Sequence, residues 1–138
     1  MNIIKKSFHI FFAVVVTFMI SPTVAMAAED YRDVTVEEAS EMIKKAGNDS
    51  PIIVLDVRTK GEFDSGHIND AINMDVKSAS FKDEISKLDK DKTYLVYCRS
   101  GKRSKMAQNI MKELRFKKAL NMLGGFIAWE KAGLPFSR

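Results

Sequence analysis

The chain has 138 residues, of which 46% are hydrophobic and 29% charged, with 22 basic against 18 acidic side chains. That is the length of one domain able to bury a core, and the balance excludes a disordered or fibrous chain. A net charge of +4 is too small to direct the protein to nucleic acid.

The N-terminus differs from the rest. "MNIIKK" is a short positive head, "SFHIFFAVVVTFMI" is almost entirely apolar, and Ala25-Met26-Ala27 supplies the small-x-small pattern read by a signal peptidase. Residues 1–27 are therefore expected to be a signal peptide cleaved after Ala27. Retention as a membrane anchor is the rival reading, but a helix from Phe8 to Ile20 spans only about 20 Å, against a hydrocarbon core of about 30 Å. Loss of Lys5 and Lys6 leaves 20 basic residues against 18 acidic ones, a net charge of +2. The expected location is periplasmic or secreted, with membrane contact only during export.

A polar N-terminal segment, 28–34, leads into a single domain expected over 35–138. Thr35 with Glu38 three residues on reads as a capping box opening a helix over about Val36 to Lys45, with Ala39, Met42, Ile43 and Ala46 on one face and Gly47 and Asn48 ending it. "PIIVLDV", Pro51 to Val57, is continuously apolar and β-branched, the pattern of a strand buried on both faces. A short helical segment near Thr59 to Asp64, a turn at "SGHI" and a brief "AINM" strand follow. Next come a helix around Phe81 to Leu88, a second central strand "TYLVY" over Thr93 to Tyr97, and an amphipathic helix from about Ser104 to Arg115. Met106 and Met111 are expected to pack in the core. "KALNML" reads as the last strand, "GG" as a turn and "FIAWEKAG" as the last helix. The alternation predicts an α/β fold, a mainly parallel sheet with helices on both faces.

Cys98 is the only cysteine, so in an oxidising compartment it has no partner in the chain for a bridge. Zinc is not expected, because His9 leaves with the signal and only Cys98 and His67 remain as soft ligands. Cys98 falls where a central strand ends and a helix begins, the end of a parallel sheet at which ligands bind. The first turn of that helix has N–H groups without partners and the positive end of the macrodipole, so it attracts an anion. Arg99, Lys102, Arg103 and Lys105 crowd the same end, where a cation without an anion is unfavourable by about 0.3–1 kcal/mol. Such surroundings lower a thiol pKa from about 8.5 to roughly 3.5–7.5, giving a thiolate nucleophile. The plainer alternative is a small buried hydrophobe beside a solvated basic loop.

"LDVRTKGEFDSGHINDAIN" (Leu55 to Asn73), "YCRSGKRS" (Tyr97 to Ser104) and "LGGFIAW" (Leu123 to Trp129) together resemble, in order, the signatures of single-domain rhodaneses, the sulfurtransferases. The resemblance implies a rhodanese-like fold with a five-stranded parallel sheet, and Cys98 as a nucleophile that cycles through a persulfide. It implies an anionic sulfur donor such as thiosulfate and an acceptor such as cyanide or a thiol, with no metal or organic cofactor. Backbone N–H groups from Arg99, Ser100, Gly101, Lys102, Arg103 and Ser104 would surround the persulfide, while Arg99, Lys102 and Arg103 attract the donor. Asp56 and Arg58 match the "DVR" element as supporting residues, and His67 in "GHI" reads as a structural hydrogen-bonder. Gly124 and Gly125 allow a tight turn with positive φ, and Trp129 is expected to pack against the domain.

Two other readings compete. A phosphatase or arsenate reductase of tyrosine-phosphatase type needs five residues between cysteine and arginine, whereas here the sixth position is Ser104 and the arginine falls one place early, at Arg103. A non-catalytic module for partner binding or redox sensing is the other, and in such modules the cysteine is usually lost.

Overall fold

The computed structural model describes residues 28–46 and 52–138, so the expected signal peptide, Gly47, Asn48 and Pro51 lie outside the described residues. In chain order the elements are β1 (Asp33–Val34), α1 (Val36–Ala46), β2 (Ile52–Asp56), α2 (Lys60–Asp64), β3 (His67–Ile68), β4 (Ile72–Asn73), α3 (Phe81–Ser86), β5 (Thr93–Tyr97), α4 (Lys102–Glu113), β6 (Lys118–Met122), α5 (Gly125–Lys131) and β7 (Phe136–Ser137).

The two apolar runs become the middle of a five-stranded sheet of order β1-β6-β5-β2-β4, parallel throughout. β5 is flanked on both sides, Leu95 lying beside Val54 of β2 and Leu120 of β6. Every backbone group of such a strand is paired and both its faces are covered, which is why its sequence shows no polar alternation. Alternate side chains divide between two cores. Tyr94, Val96 and Cys98 join Phe81, Ile85, Ala107 and Met111, under α3 and α4. Leu95 and Tyr97 join Val36, Ala39, Phe126 and Trp129, under α1 and α5. Each large side chain so enclosed contributes about 1.5–3 kcal/mol relative to exposure.

The chain leaves β5 for β6 on one side, and β2 for β4 on the other. Loops at the carboxyl ends of β5 and β2 thus depart in opposite directions, which opens a crevice between them. Cys98 and Arg58 are the residues just past this divide.

Several expectations are corrected. The segment 28–34 is not merely polar chain: Asp33–Val34 forms the edge strand β1 on β6, and Asp30 bridges Lys118. His67 and Ile68, read as part of a turn, pair antiparallel with Phe136–Ser137. α4 begins at Lys102, two residues earlier than its apolar spacing indicates. Met111 is buried, but Met106 is 44% exposed. The buried stripe of α4 runs through Ser104, Ala107, Gln108 and Met111, and Met106, one residue before Ala107, is turned about 100° off it. The capping box at Thr35 is half formed: Glu38 N–H donates to Thr35 Oγ1, while its carboxylate turns to Arg32. A complete box sits at Thr59 and Glu62, opening α2.

Candidate active site

Cys98 is 1% exposed, its sulfur directed from the end of β5 into the first turn of α4. The turn closes around it because Gly101, the residue before α4, adopts φ 106°, where a side chain is strained, and donates its N–H to Sγ at 3.1 Å. Ser104, fully buried, brings Oγ to 3.5 Å from Sγ. Burial pushes the thiol pKa up, but the Ser104 hydroxyl and the backbone N–H groups of Ser104, Gly101 and Ser100 outweigh it and bring the thiol below its ordinary value. Hydrogen-bond donors, more than nearby cations, prepare the thiolate.

From below, the loop is held by α5. Phe126 N–H donates to Cys98 O at 2.8 Å and Ile127 N–H to Arg99 O at 3.1 Å, so the orphan donors of α5's first turn are capped by the cysteine loop. Gly125 makes this approach possible, with φ 57° and a position where a Cβ would come within 2.5 Å of Arg99 C and O and Cys98 O. The "GG" turn is thus the seat of the cysteine loop.

The four cations do not all wait for an anion. Arg103 makes a two-pronged pair with Glu62, Nη1 to Oε2 and Nη2 to Oε1 both at 2.8 Å, and Lys105 Nζ meets Asp33 Oδ1 at 2.9 Å. Among the described residues, Arg99 and Lys102 have no carboxylate within 4.0 Å and are exposed. Arg99 lines a cleft of about 290 Å³ with Arg58, Glu62, Phe126 and Ile127, while Lys102 faces a second depression with Lys77. Of the three cations assigned from sequence to attracting a donor, Arg103 is thus paired with a carboxylate, while Arg99 and Lys102, among the described residues, are not.

Asp56 and Arg58 form a buried pair, 2.6 Å between Nη2 and Oδ2, with side chains 0% and 5% exposed. Arg58 also donates to Gly66 O at 2.6 Å and lies over the rings of Tyr97 and Phe126. The pair ties the end of β2 to Gly66, just before β3, and to Tyr97, the residue before Cys98. His67 makes a local contact: Nδ1 is 2.9 Å from Phe63 O and the ring stacks on Phe63 at 3.8 Å. Trp129 packs in the core and donates Nε1–H to Pro135 O.

A family model described as a rhodanese-like domain matches residues 35–132. The chain belongs to the rhodanese-like family. A sulfurtransferase of Allochromatium vinosum is 30% identical over 98 residues, covering 71% of this chain and 90% of that protein. The thiosulfate sulfurtransferase GlpE of Coxiella burnetii is 33% identical over 107 residues, covering 78% and 94%. Among solved structures, a rhodanese-related protein from Thermoplasma volcanium superposes with a TM-score of 0.67 at 29% identity, covering 78% of this chain and 98% of that one. Relatives of this length and name support a sulfurtransferase-type enzyme.

Within this rhodanese-like domain, three site residues escaped the sequence reading: Glu62, which anchors Arg103, and Asn121 and Asp33, which continue a hydrogen-bond chain from Ser104. The Thr59-x-x-Glu62 spacing, a capping box, was the one available signal for Glu62. Asn121 and Asp33 had none, because their partners come from distant parts of the chain.

Proposed function

We propose that the protein moves a sulfane sulfur from thiosulfate or a similar anionic donor to cyanide or a thiol through a persulfide on Cys98. The Cys98 thiolate attacks the outer sulfur of the donor, whose S–S bond breaks with its electron pair leaving on sulfite. The new Sγ–S bond leaves the negative charge on the outer sulfur. Cyanide or a thiolate then attacks that sulfur, and the electron pair returns to Sγ. No general base is needed once the thiol is ionised, and no metal or organic cofactor enters the cycle.

The observation that carries this reading is the size and aim of the loop. The Gly101 N–H and the Ser104 hydroxyl converge on the sulfur, and the sixth position holds Ser104. A phosphatase would require a guanidinium clamping a tetrahedral oxyanion there, but Arg103 is turned outward onto Glu62. Arg99 and Lys102, without carboxylate partners, draw the anion in.

Intact mass after thiosulfate treatment tests the mechanism. The wild type gains one sulfur atom and Cys98→Ser gains none; no gain in the wild type, or an equal gain in the variant, overturns it. A thiosulfate-to-cyanide assay on both proteins then measures turnover. We also propose export, on the charged head, apolar run and Ala25-Met26-Ala27 of the first 27 residues. Protein recovered from the producing cell's periplasm or medium should begin at Ala28, and an intact N-terminus would overturn this.

A further inference from the structure

Beyond the loop, a line of buried polar contacts leads away from the sulfur. Ser104 Oγ lies 2.6 Å from Asn121 Oδ1, 3.1 Å from Gly101 O and 3.5 Å from Cys98 Sγ. A hydroxyl has one hydrogen, so these three acceptors compete for it. Asn121 is 2% exposed, and its Nδ2 donates to Asp33 Oδ1 at 3.1 Å, the oxygen that also receives Lys105 Nζ at 2.9 Å. Hydrogen bonds from Lys105 and Asn121 keep Asp33 ionised, outweighing its slight burial. An ionised Asp33 accepts only, so it fixes the Asn121 amide with Nδ2 toward itself and Oδ1 toward Ser104.

We propose that Asn121, held in this orientation by Asp33, is a positioning residue that competes with the Cys98 sulfur for the single hydrogen of the Ser104 hydroxyl, and so tilts the site from free thiolate toward its sulfur-loaded state. In the free thiolate the charge is on Sγ, which can take that hydrogen only if Ser104 gives up its shortest bond. In the loaded state the charge sits on the outer sulfur, Sγ needs no donor, and the Ser104–Asn121 bond is kept. The direction of one amide on β6 thus enters the balance between the two states. The loading half of the inference rests on the persulfide reading above, but the hydrogen-bond competition does not.

The charged groups around this network are Arg103 with Glu62, Lys105 with Asp33, Arg58 with Asp56, and the exposed Arg99 and Lys102. Of these, only the Asp33 charge bears on Asn121 by direct contact, so it needs its own control.

The test is the pH midpoint of Cys98 alkylation by iodoacetamide. Asn121→Leu fills the space without an acceptor and leaves Ser104 to choose between Gly101 O and the sulfur. Because a bond to a charged acceptor is about twice as strong as a neutral one, the thiolate wins. The midpoint should fall by about 0.5–1 pH unit, and the shift should vanish when Ser104→Ala is added. An unchanged or raised midpoint, or a shift that persists without the hydroxyl, overturns the proposal. Should Asn121→Leu fail to fold, Asp33→Ala releases the amide to turn over and should lower the midpoint too. Asp33→Asn, which keeps an acceptor oxygen beside Lys105 while removing the charge, should lower it less; an equal shift in the two overturns the proposal by reducing it to charge. Under a fixed thiosulfate-to-sulfite ratio, intact mass should give a ratio of loaded to free protein about 3–10-fold lower in Asn121→Leu. No loading in the wild type rejects the sulfurtransferase mechanism and leaves the alkylation result standing on its own.

Discussion

Arg103 and Glu62, 41 residues apart in sequence, meet in a two-pronged ion pair that fastens the first turn of α4 to the first turn of α2. The same carboxylate accepts the Thr59 N–H at 3.1 Å, so one side chain caps α2 and anchors the cysteine loop. Arg103 holds the Glu62 carboxyl at about 2 against an ordinary 4.5, with burial opposing and Thr59 assisting. A carboxyl depressed in the folded state stabilises in full above its ordinary pKa and loses that contribution as pH falls through the folded one. Urea unfolding of wild type and Glu62→Gln should therefore differ by a constant amount from neutral pH down to about 5, no more than about 1 kcal/mol for a pair this near the surface. The difference should close as pH falls from 4.5 toward 2.

Gly125→Ala should be among the most damaging single-methyl additions in the domain. The new Cβ meets backbone atoms of Cys98 and Arg99 that cannot swing aside, at a positive φ. Close contact and backbone strain together predict a loss of about 2–4 kcal/mol in urea unfolding. Gly61→Ala in α2, with nothing within 4 Å of its Cβ, should instead gain about 0.5–1 kcal/mol.

Breaking the buried pair between Asp56 and Arg58 from one side leaves a charge without a partner in the core. Arg58→Leu should cost about 3–5 kcal/mol in unfolding free energy, and replacing both, Asp56→Val with Arg58→Met, should recover much of that loss. A double variant as unstable as the single one would show that the Gly66 contact, and not the charge, dominates.

Lys102 sits at the positive end of α4 without a carboxylate partner among the described residues. Lys102→Gln should raise stability by about 0.3–1 kcal/mol. Together with Arg99→Gln it should slow sulfur loading from thiosulfate by about tenfold and flatten the dependence of that rate on salt.

What the sequence disclosed follows from how far apart the interacting residues lie. The strand Thr93–Tyr97 is legible to the residue, because a run buried on both faces carries its own signal, and Cys98 at its end follows from that. The onset of α4 is blurred because Lys102 and Arg103 carry no apolar period, although their backbones are helical. The two-residue strands β1, β3 and β7 are too short for any pattern; their existence depends on the partners they meet. The same holds within the site. The donors from Gly101 and Ser104 are local to the cysteine and could be foreseen, whereas the diversion of Arg103 to Glu62 and of the Ser104 hydroxyl to Asn121 depends on the tertiary arrangement.

Both margins of the main sheet are strands of only two residues, β1 at one side and β4 at the other. A longer bare margin would offer a row of free N–H and C=O groups to any passing extended chain. Here the long, apolar, β-rich segments are sealed in the interior, and what remains at the rims is too brief to template another molecule. "TYLVY", the segment that would most readily seed aggregates if exposed, is buried in the middle of the sheet, and Cys98 follows directly on its last residue.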